Sequence, residues 1–171
     1  MHLIFLGPPG VGKGTQAKRI CDRFDIIHLS TGEILRTEIA VQSNIGNQAK
    51  LFIDKGKLVP DNVLLDIIDN RLKNNDVQKG YLLDGFPRTI PQAEGLEKIM
   101  KELSHSLKAT VSLLANEDEL VQRLINRSLE SGRSDDAQDT IRQRQKVFWE
   151  QTAPLLDFYR STNLLRLEAR R

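Results

Sequence analysis

The chain has 171 residues, of which 39% are apolar and 28% are charged, and its formal net charge is +2. This length and composition indicate one compact α/β domain, and the near-balanced charge argues against a broad nucleic-acid-binding face. A single cysteine, Cys21, excludes an intrachain disulfide and a four-cysteine zinc cage. No apolar run approaches the ~18–20 residues of a membrane span, and the amino terminus lacks the character of a signal peptide. We therefore expect a cytoplasmic protein.

Short apolar runs alternate along the chain with segments of helical periodicity, a pattern typical of βα units around a parallel sheet. The runs are apolar throughout, as expected for strands whose two faces are both covered by helices. The predicted strands span residues 3–6, 26–29, 81–83, 110–114 and 164–167. They predict an α/β fold with a parallel five-stranded sheet.

Helix-start signals stand between these strands. Four small polar residues are predicted to cap helices: Ser30, Asp61, Thr89 and Asn116. Glu33 and Gln92 each follow one of these caps by three residues, which completes two capping boxes. Residues 47–55 are predicted to form a helix that ends before Gly56. Residues 138–150 are helical with a thin apolar stripe, so this helix should lie on the surface or face a solvated cleft.

The strongest chemical signal is GPPGVGKGT at residues 7–15, which satisfies the G-x-x-x-x-G-K pattern between a predicted strand and a predicted helix. Glycines allow backbone N–H groups to turn around a phosphate, and the helix adds its positive end. Lys13 supplies a point charge for the β- and γ-phosphates. Gly14 stands where serine or threonine is usual, and a hydroxyl follows one place later. The predicted nucleoside-triphosphate site comprises Gly10, Val11, Gly12, Lys13, Gly14 and Thr15.

Six segments occur in the order found in adenylate kinases: GPPGVGKGTQA, HLSTGEILR, GKLVPD, YLLDGFPRTIPQAE, SGRSDD and EQTAPLLDFY. The chain resembles that family over residues 3–167. The resemblance implies a single three-layer P-loop NTPase domain, with a small monophosphate-binding insertion at residues 30–59 and a short lid at residues 126–136. It implies an enzyme of adenine nucleotide homeostasis that catalyses the reversible reaction of ATP and AMP to two ADP. We expect a monomer that binds neither nucleic acid nor membranes.

The resemblance also implies an AMP site beyond the second and third strands. Its predicted residues are Thr31, Arg36, Lys57, Leu58, Val59, Gly85, Phe86, Pro87, Arg88, Gln92, Arg133 and Arg144. The chemistry agrees, because the amide of Gln92 matches the donor and acceptor of adenine, and Arg36 and Arg88 suit a phosphate. Thr31 and Thr89 follow the adenine pattern, since UMP/CMP kinases typically have alanine and asparagine at these places.

Several of these residues also have a structural interpretation. Gln92 completes a capping box, Thr31 opens a helix, and Arg36 fits a solvated charge on a helix face. Arg88 is harder to explain in this way, because it follows a buried strand at the end where α/β sheets bind ligands. The three histidines, His2, His28 and His105, form no catalytic pattern and are interpreted as structural or exposed.

Four arginines form a further predicted group: Arg123, Arg127, Arg133 and Arg144. Phosphoryl transfer gains mainly from positioning and fixed positive charge, and AMP is already anionic, so no strong base is needed. By resemblance, Arg123 and Arg127 bind ATP, while Arg133 and Arg144 reach the transferring phosphoryl and AMP. The predicted catalytic residues are Lys13, Arg88, Arg127, Arg133 and Arg144. The alternative is a set of solvated charges paired with neighbouring carboxylates.

Magnesium is expected with ATP because it neutralises the β- and γ-phosphate oxygens. Asp84, at the end of a predicted buried strand, is the best candidate to hold it through water, since Mg²⁺ retains several waters. The alternative for Asp84 is a turn or cap carboxylate. The short lid has no cysteine, so no zinc is expected. The last strand is not followed by the further helix common in the family, from which we expect lower stability or looser ATP selectivity.

Three other functions stay open at this stage. Another monophosphate kinase would use UMP, CMP or GMP in place of AMP. A P-loop ATPase or small-molecule kinase would not need the DGFPRTIPQ segment. A catalytically silent nucleotide sensor would bind ATP and AMP without turnover.

Overall fold

The computed structural model describes residues 1–131, 137–162 and 164–170. Its centre is a five-stranded sheet in the order β2-β3-β1-β4-β5, in which every neighbouring pair is parallel. The strands are β1 His2–Leu6, β2 Ile27–Ser30, β3 Tyr81–Asp84, β4 Leu107–Leu114 and β5 Leu165–Arg170. Each overlaps a predicted strand, and the predicted parallel five-stranded sheet is confirmed.

Helices alternate with these strands along the chain. They are α1 Lys13–Phe24, α2 Thr31–Ala40, α3 Asn44–Ile53, α4 Asp61–Leu72, α5 Ile90–Glu102, α6 Glu117–Ser131, α7 Gln138–Val147 and α8 Pro154–Ser161. A 3-10 helix covers Asn75–Lys79, and a π-helical turn covers Phe148–Thr152. None of the helices in the described ranges is long and apolar enough to span a lipid bilayer.

The central strands bury alternate side chains on opposite faces of the sheet. Ile4 and Leu83 belong to an apolar cluster that packs against α4, α5 and α8. Phe5 and Leu82 belong to a second cluster, which packs against α1 and α6. Helices therefore cover both faces, and the predicted three-layer arrangement is confirmed. Because all strands are parallel, their carboxyl ends share one edge of the sheet, where α/β proteins bind ligands.

Three of the four predicted helix caps have the expected geometry. Asn116 Oδ1 accepts the backbone N–H of Asp118 at the start of α6 (2.9 Å). Ser30 Oγ accepts the backbone N–H three residues on at the start of α2 (3.4 Å), and Thr89 Oγ1 accepts that of Gln92 at the start of α5 (3.3 Å). The start of α4 differs from the prediction, because Pro60 is its cap and Asp61 is its first helical residue. The carboxylate of Asp61 does not cap its own helix, because it accepts hydrogen bonds from the start of α5 instead.

Two predicted helix ranges were also wrong in detail. The predicted helix at residues 47–55 begins at Asn44, because Ser43 caps it through the backbone N–H of Gly46 at 2.9 Å. The predicted helix at residues 138–150 is α-helical only to Val147, after which the chain widens into the π-helical turn. A separate helix, α8, then begins at Pro154, a residue that tolerates the first helical turn because it has no N–H.

Gly46 lies where α3 packs against the end of α2. A Cβ atom at this position would stand 2.1 Å from the carbonyl oxygen of Glu38 and 2.6 Å from the backbone nitrogen of Ile39. Backbone atoms cannot rotate away, so we expect Gly46→Ala to lower the free energy of unfolding by about 2 kcal/mol through overpacking. Urea unfolding measures this loss, with the exposed Gln48→Ala on the same helix as control. Equal stabilities of the two variants would contradict the prediction.

Candidate functional site

The turn between β1 and α1 has the backbone of a phosphate-binding loop. Gly7, Gly10 and Gly12 have φ angles of 144°, 87° and 92°, a region that L side chains rarely adopt. At Gly10, a Cβ atom would also stand 2.8 Å from the carbonyl oxygen of Leu120 on α6. Gly12 is the N-cap of α1 and has no side chain to accept the first helical N–H groups. The start of α1 can therefore donate to an anion held by the loop.

Lys13, the first residue of α1, folds back over this loop. Its Nζ donates to the carbonyl oxygens of Gly7 at 2.6 Å and Pro8 at 3.0 Å. Desolvation of the ammonium group lowers its pKa to about 8, although the negative charge of Asp84 opposes this shift and the charge of Arg88 adds to it. A phosphate would supply the negative charge that the two carbonyls lack, so Lys13 is suited to bind a polyphosphate in this loop.

The depressed pKa of Lys13 predicts a pH dependence of ATP binding. The protonated amine favours the polyanion, so this contribution is complete below pH 8 and is lost as the pH rises through the pKa of about 8. We expect the affinity for ATP to fall by about fivefold between pH 8 and pH 9, because the protonated fraction of Lys13 falls from about one half to about one tenth. Equilibrium titrations at constant ionic strength measure it, with Lys13→Met expected to give a flat profile. A flat profile in the native chain would contradict the prediction.

Asp84 stands at the carboxyl end of β3, facing the same loop. Asp84 is 8% exposed, and its Oδ2 lies 3.3 Å from Nε2 of His28 on β2. Burial raises the pKa of Asp84, but the hydrogen bond with His28 and the charges of Lys13 and Arg88 outweigh burial, so the pKa lies below its ordinary value. The carboxyl group is therefore ionised beside the phosphate loop. Sequence analysis missed this role of His28, because its partner lies on a neighbouring strand whose register no local pattern reveals.

A wide cleft of about 620 Å³ runs along this edge of the sheet. Its lining includes twelve of the predicted site residues: Gly10, Gly12, Lys13, Gly14, Thr15, Arg36, Asp84, Gly85, Arg88, Arg123, Arg127 and Arg144. The structure thus brings the phosphate loop and arginines from four separate segments around one space. A concentration of positive charge of this kind favours a polyanionic ligand.

A smaller compartment of about 80 Å³ opens beside the cleft, between α2 and the loop that precedes α4. Its lining includes eight of the residues predicted to bind AMP: Thr31, Arg36, Lys57, Leu58, Val59, Gly85, Arg88 and Arg144. Apolar walls come from Leu35 and Leu64. Because Arg88 and Arg144 line both spaces, the two spaces adjoin at these arginines.

The loop after β3 holds Arg88 in place through its own backbone. Arg88 Nε donates to the carbonyl oxygen of Gly85 at 2.8 Å, and Thr152 Oγ1 donates to the carbonyl oxygen of Arg88 at 2.9 Å. The same Gly85 oxygen accepts from Thr31 Oγ1 at 2.9 Å, which ties the start of α2 to this loop. Gly85 has a φ of 82°, and its Cβ would stand 3.0 Å from that hydroxyl. A glycine is therefore required where these segments meet.

Four of the predicted site residues that the structure describes line neither of these two spaces: Val11, Phe86, Pro87 and Gln92. Val11 is 1% exposed and packs in the core with α1, and Phe86 is 0% exposed and packs in the opposite core. Gln92 is also 0% exposed, and its amide bonds to the backbone N–H of Arg88 and to Asp61. Pro87, joined to Phe86 by a cis peptide bond, lines a third and smaller pocket of about 70 Å³.

The predicted lid arginines differ in where the structure places them. Arg123 and Arg127 on α6 and Arg144 on α7 line the wide cleft. Arg123 also pairs with Glu119 one helical turn earlier, as the surface-charge alternative predicted. Arg133 lies outside the described residues, as does the lid after residue 131. No group of three or more potential metal ligands among His, Cys, Asp and Glu occurs in the part of the chain that the structure describes.

Comparison with known proteins agrees with this geometry. A profile of the family described as "Adenylate kinase" matches residues 5–164. An adenylate kinase of Cyanothece sp. (strain PCC 7425) is 47% identical over 164 residues, which cover 96% of this chain and 84% of that protein. One from Prochlorococcus marinus (strain MIT 9313) is 48% identical over 96% of this chain and 87% of its own length. One from Leptospira biflexa is 47% identical, with 96% and 89% covered. The chain belongs to the adenylate kinase family.

Proposed function

We propose that this chain catalyses the reversible, magnesium-dependent transfer of a phosphoryl group from ATP to AMP, giving two ADP. The observation that carries this proposal is the meeting of two spaces at Arg88 and Arg144, one space built on the phosphate loop and the other on α2 and the loop before α4. A kinase that transfers directly between nucleotides needs two sites with adjoining phosphate ends. The names of the relatives support the same choice of substrates.

ATP would occupy the wide cleft. The loop glycines and the start of α1 would donate backbone N–H groups to its phosphates, while Lys13 would exchange the carbonyls of Gly7 and Pro8 for phosphate oxygens. Arg123 and Arg127, which line the cleft from α6, would add charge along the nucleotide. Arg123 would have to leave Glu119 to do so, at small cost because such pairs at a helix surface are weak.

AMP would occupy the smaller compartment. Leu35, Val59 and Leu64 offer an apolar setting for the base, with backbone groups of residues 57–59 beside it. Arg36 and Arg88 would bind the phosphate of AMP at the junction with the cleft. Gln92 is closed off from this compartment in the structure, so the insertion would have to move before the remaining donor and acceptor capacity of its amide could read the edge of adenine.

Transfer would then proceed without a general base. An oxygen of the AMP phosphate attacks the γ-phosphorus, and the bond from that phosphorus to the β-γ bridging oxygen breaks. ATP thereby becomes one ADP, and AMP becomes the other. The charge spread over the transferring group would be neutralised by Lys13, Arg88, Arg127, Arg133 and Arg144. Desolvation in the closed cleft strengthens each of these interactions.

Magnesium fits the residues that surround the phosphate loop. Asp84 is an ionised, largely buried carboxylate that lines the cleft with Lys13 and Thr15, and oxygen ligands are those that Mg²⁺ prefers. Asp84 would hold the ion through its waters, and His28 would keep the carboxylate oriented. The ion supplies neutralisation of the β- and γ-phosphate oxygens.

Two segments would close over the nucleotides, the insertion at residues 30–59 and the lid at residues 126–136. A contact supports this idea on the insertion side, where Thr140 Oγ1 of α7 donates to the carbonyl oxygen of Asp54 at 3.4 Å. Closure would exclude water, so that the phosphoryl group passes to AMP and not to solvent. We further propose a cytoplasmic monomer that balances adenine nucleotides and binds neither nucleic acid nor membranes.

A coupled assay for ADP formation tests the function directly. ATP and Mg²⁺ are offered with AMP, UMP, CMP or GMP in parallel, and we expect AMP to give the highest kcat/KM by a factor of at least about 100, the discrimination typical of a site that hydrogen-bonds its substrate. A preference for UMP or CMP would identify a different monophosphate kinase. Binding of ATP and AMP without any ADP formation would identify a silent sensor.

A further inference from the structure

Three side chains form a hydrogen-bonded cluster where α4 and α5 begin, outside the phosphate loop. Asp61 Oδ1 accepts from Gln92 Nε2 at 2.7 Å and from Thr89 Oγ1 at 3.1 Å. The backbone N–H of Arg88 donates to Gln92 Oε1 at 2.7 Å. Gln92 is fully buried. Both polar atoms of its amide therefore have fixed partners within the protein.

These partners allow the amide of Gln92 only one orientation. An ionised carboxylate can only accept, so Nε2 must face Asp61, and a backbone N–H can only donate, so Oε1 must face Arg88. The reversed amide would set oxygen against oxygen and N–H against N–H, which loses both bonds in a buried position. One N–H of Nε2 and one lone pair of Oε1 are not used in these two bonds, and they always lie on the same sides of the amide, although both are closed off from solvent in this structure.

Helix capping does not account for the carboxylate of Asp61. Pro60 is the N-cap of α4, and Thr89 Oγ1 is the acceptor at the start of α5. The cluster adjoins the smaller compartment instead, because Val59, two residues before Asp61, and Arg88, immediately before Thr89, both line that compartment. The carboxylate is thus placed to control the residue proposed to read the base.

The orientation of the amide determines which base it can read. Adenine presents an amino donor beside a ring-nitrogen acceptor, whereas hypoxanthine presents a carbonyl acceptor beside a ring N–H donor. We propose that Asp61 is a positioning residue for base selection. It holds the Gln92 amide in the orientation that pairs with adenine, and this orientation sets donor against donor and acceptor against acceptor with a 6-oxopurine. This inference rests on the proposed AMP kinase function. A site with fixed donors and acceptors discriminates by leaving the wrong partner unpaired.

Steady-state kinetics of Asp61→Ala with AMP and with IMP test this role. Loss of the Asp61 carboxylate should lower the ratio of kcat/KM for AMP to kcat/KM for IMP by about tenfold, the usual scale for one hydrogen bond to a charged group. The change should fall mainly on the KM for AMP, with the KM for ATP unaltered and kcat at saturating AMP within about threefold. Asp61→Asn should keep the native ratio within about threefold, because its amide oxygen can still accept both bonds at the Oδ1 position.

Asp69→Ala on the same helix is the matched control, since the carboxylate of Asp69 pairs with Lys73 at the helix surface. Circular dichroism at the assay temperature shows that each variant is folded. If Asp61→Ala does not fold, Asp61→Ser takes its place, because the shorter hydroxyl cannot reach Nε2 and the same loss is expected.

The possible failures of this test can be told apart. A native AMP-to-IMP ratio in the Asp61 variants would reject the positioning role, provided that the native chain converts AMP. A loss shared equally by ATP, AMP and IMP would also reject it, because that is the result of a general structural defect. Absence of ADP formation by the native chain would reject the proposed function itself.

Discussion

Replacement of Lys13 by methionine is expected to lower kcat/KM by about 1,000-fold while the protein stays folded. Lys13 is the only cation of the phosphate loop, and its charge would follow the phosphates through the transfer, where a fixed charge is worth several powers of ten in rate. Methionine keeps the aliphatic length without the charge. Because desolvation already lowers the pKa of Lys13, loss of the ammonium group should not destabilise the fold.

The measurement combines the coupled ADP assay with thermal unfolding. Lys98→Met, at an exposed position of α5 far along the chain from the loop, is the control for loss of one positive charge. We expect this control to keep native activity. A Lys13→Met enzyme within tenfold of native activity, or a control that loses as much, would show that the loop charge is not central to catalysis.

The second large effect is expected at Arg88, where substitution by alanine should lower kcat/KM for AMP by about 100- to 1,000-fold. The guanidinium lines both spaces and is held by Nε on the carbonyl oxygen of Gly85, so alanine removes a pre-positioned charge. Arg88→Lys should recover little of this loss, because the ammonium group is a point charge on a flexible stem and lacks the planar fork of donors that binds a phosphate bidentately. The affinity for ATP alone should change much less than kcat.

Arg19→Ala, at an exposed position of α1, controls for loss of an arginine elsewhere. Single-turnover rates with saturating ATP and AMP separate the transfer step from binding. If Arg88→Ala retained the native single-turnover rate, this arginine would not act on the transferring group. If Arg88→Lys were fully active, a point charge would suffice and the planar geometry would be irrelevant.

The parts of the fold that follow local rules were predicted from the sequence. Short apolar runs indicate the strands. The phosphate loop needs glycines at a fixed spacing because its backbone has positive φ angles there. Ser30 and Thr89 cap the helices that they were expected to cap, since a cap bonds only three residues away. Local chemistry of this kind is readable without knowledge of the sheet order.

The parts that depend on distant partners could not be derived in this way. The hydrogen bond of His28 with Asp84 requires the register of β2 against β3. The bond of Asp61 with Gln92 joins two helix starts 31 residues apart, so a carboxylate that resembled a cap has a different role. The resemblance to a family supplied the AMP residues as a set, and Arg133 stays a prediction because it lies outside the described residues.

The most direct test of the account is the structure of the chain with AMP and a non-hydrolysable ATP analogue bound together. We predict that both phosphate ends meet at Arg88 and Arg144, with an AMP phosphate oxygen about 3–3.5 Å from the γ-phosphorus and in line with the bond that breaks. Phosphates that remain too far apart for attack, with residues 30–59 and 126–136 closed over the ligands, would contradict direct transfer between two nucleotides.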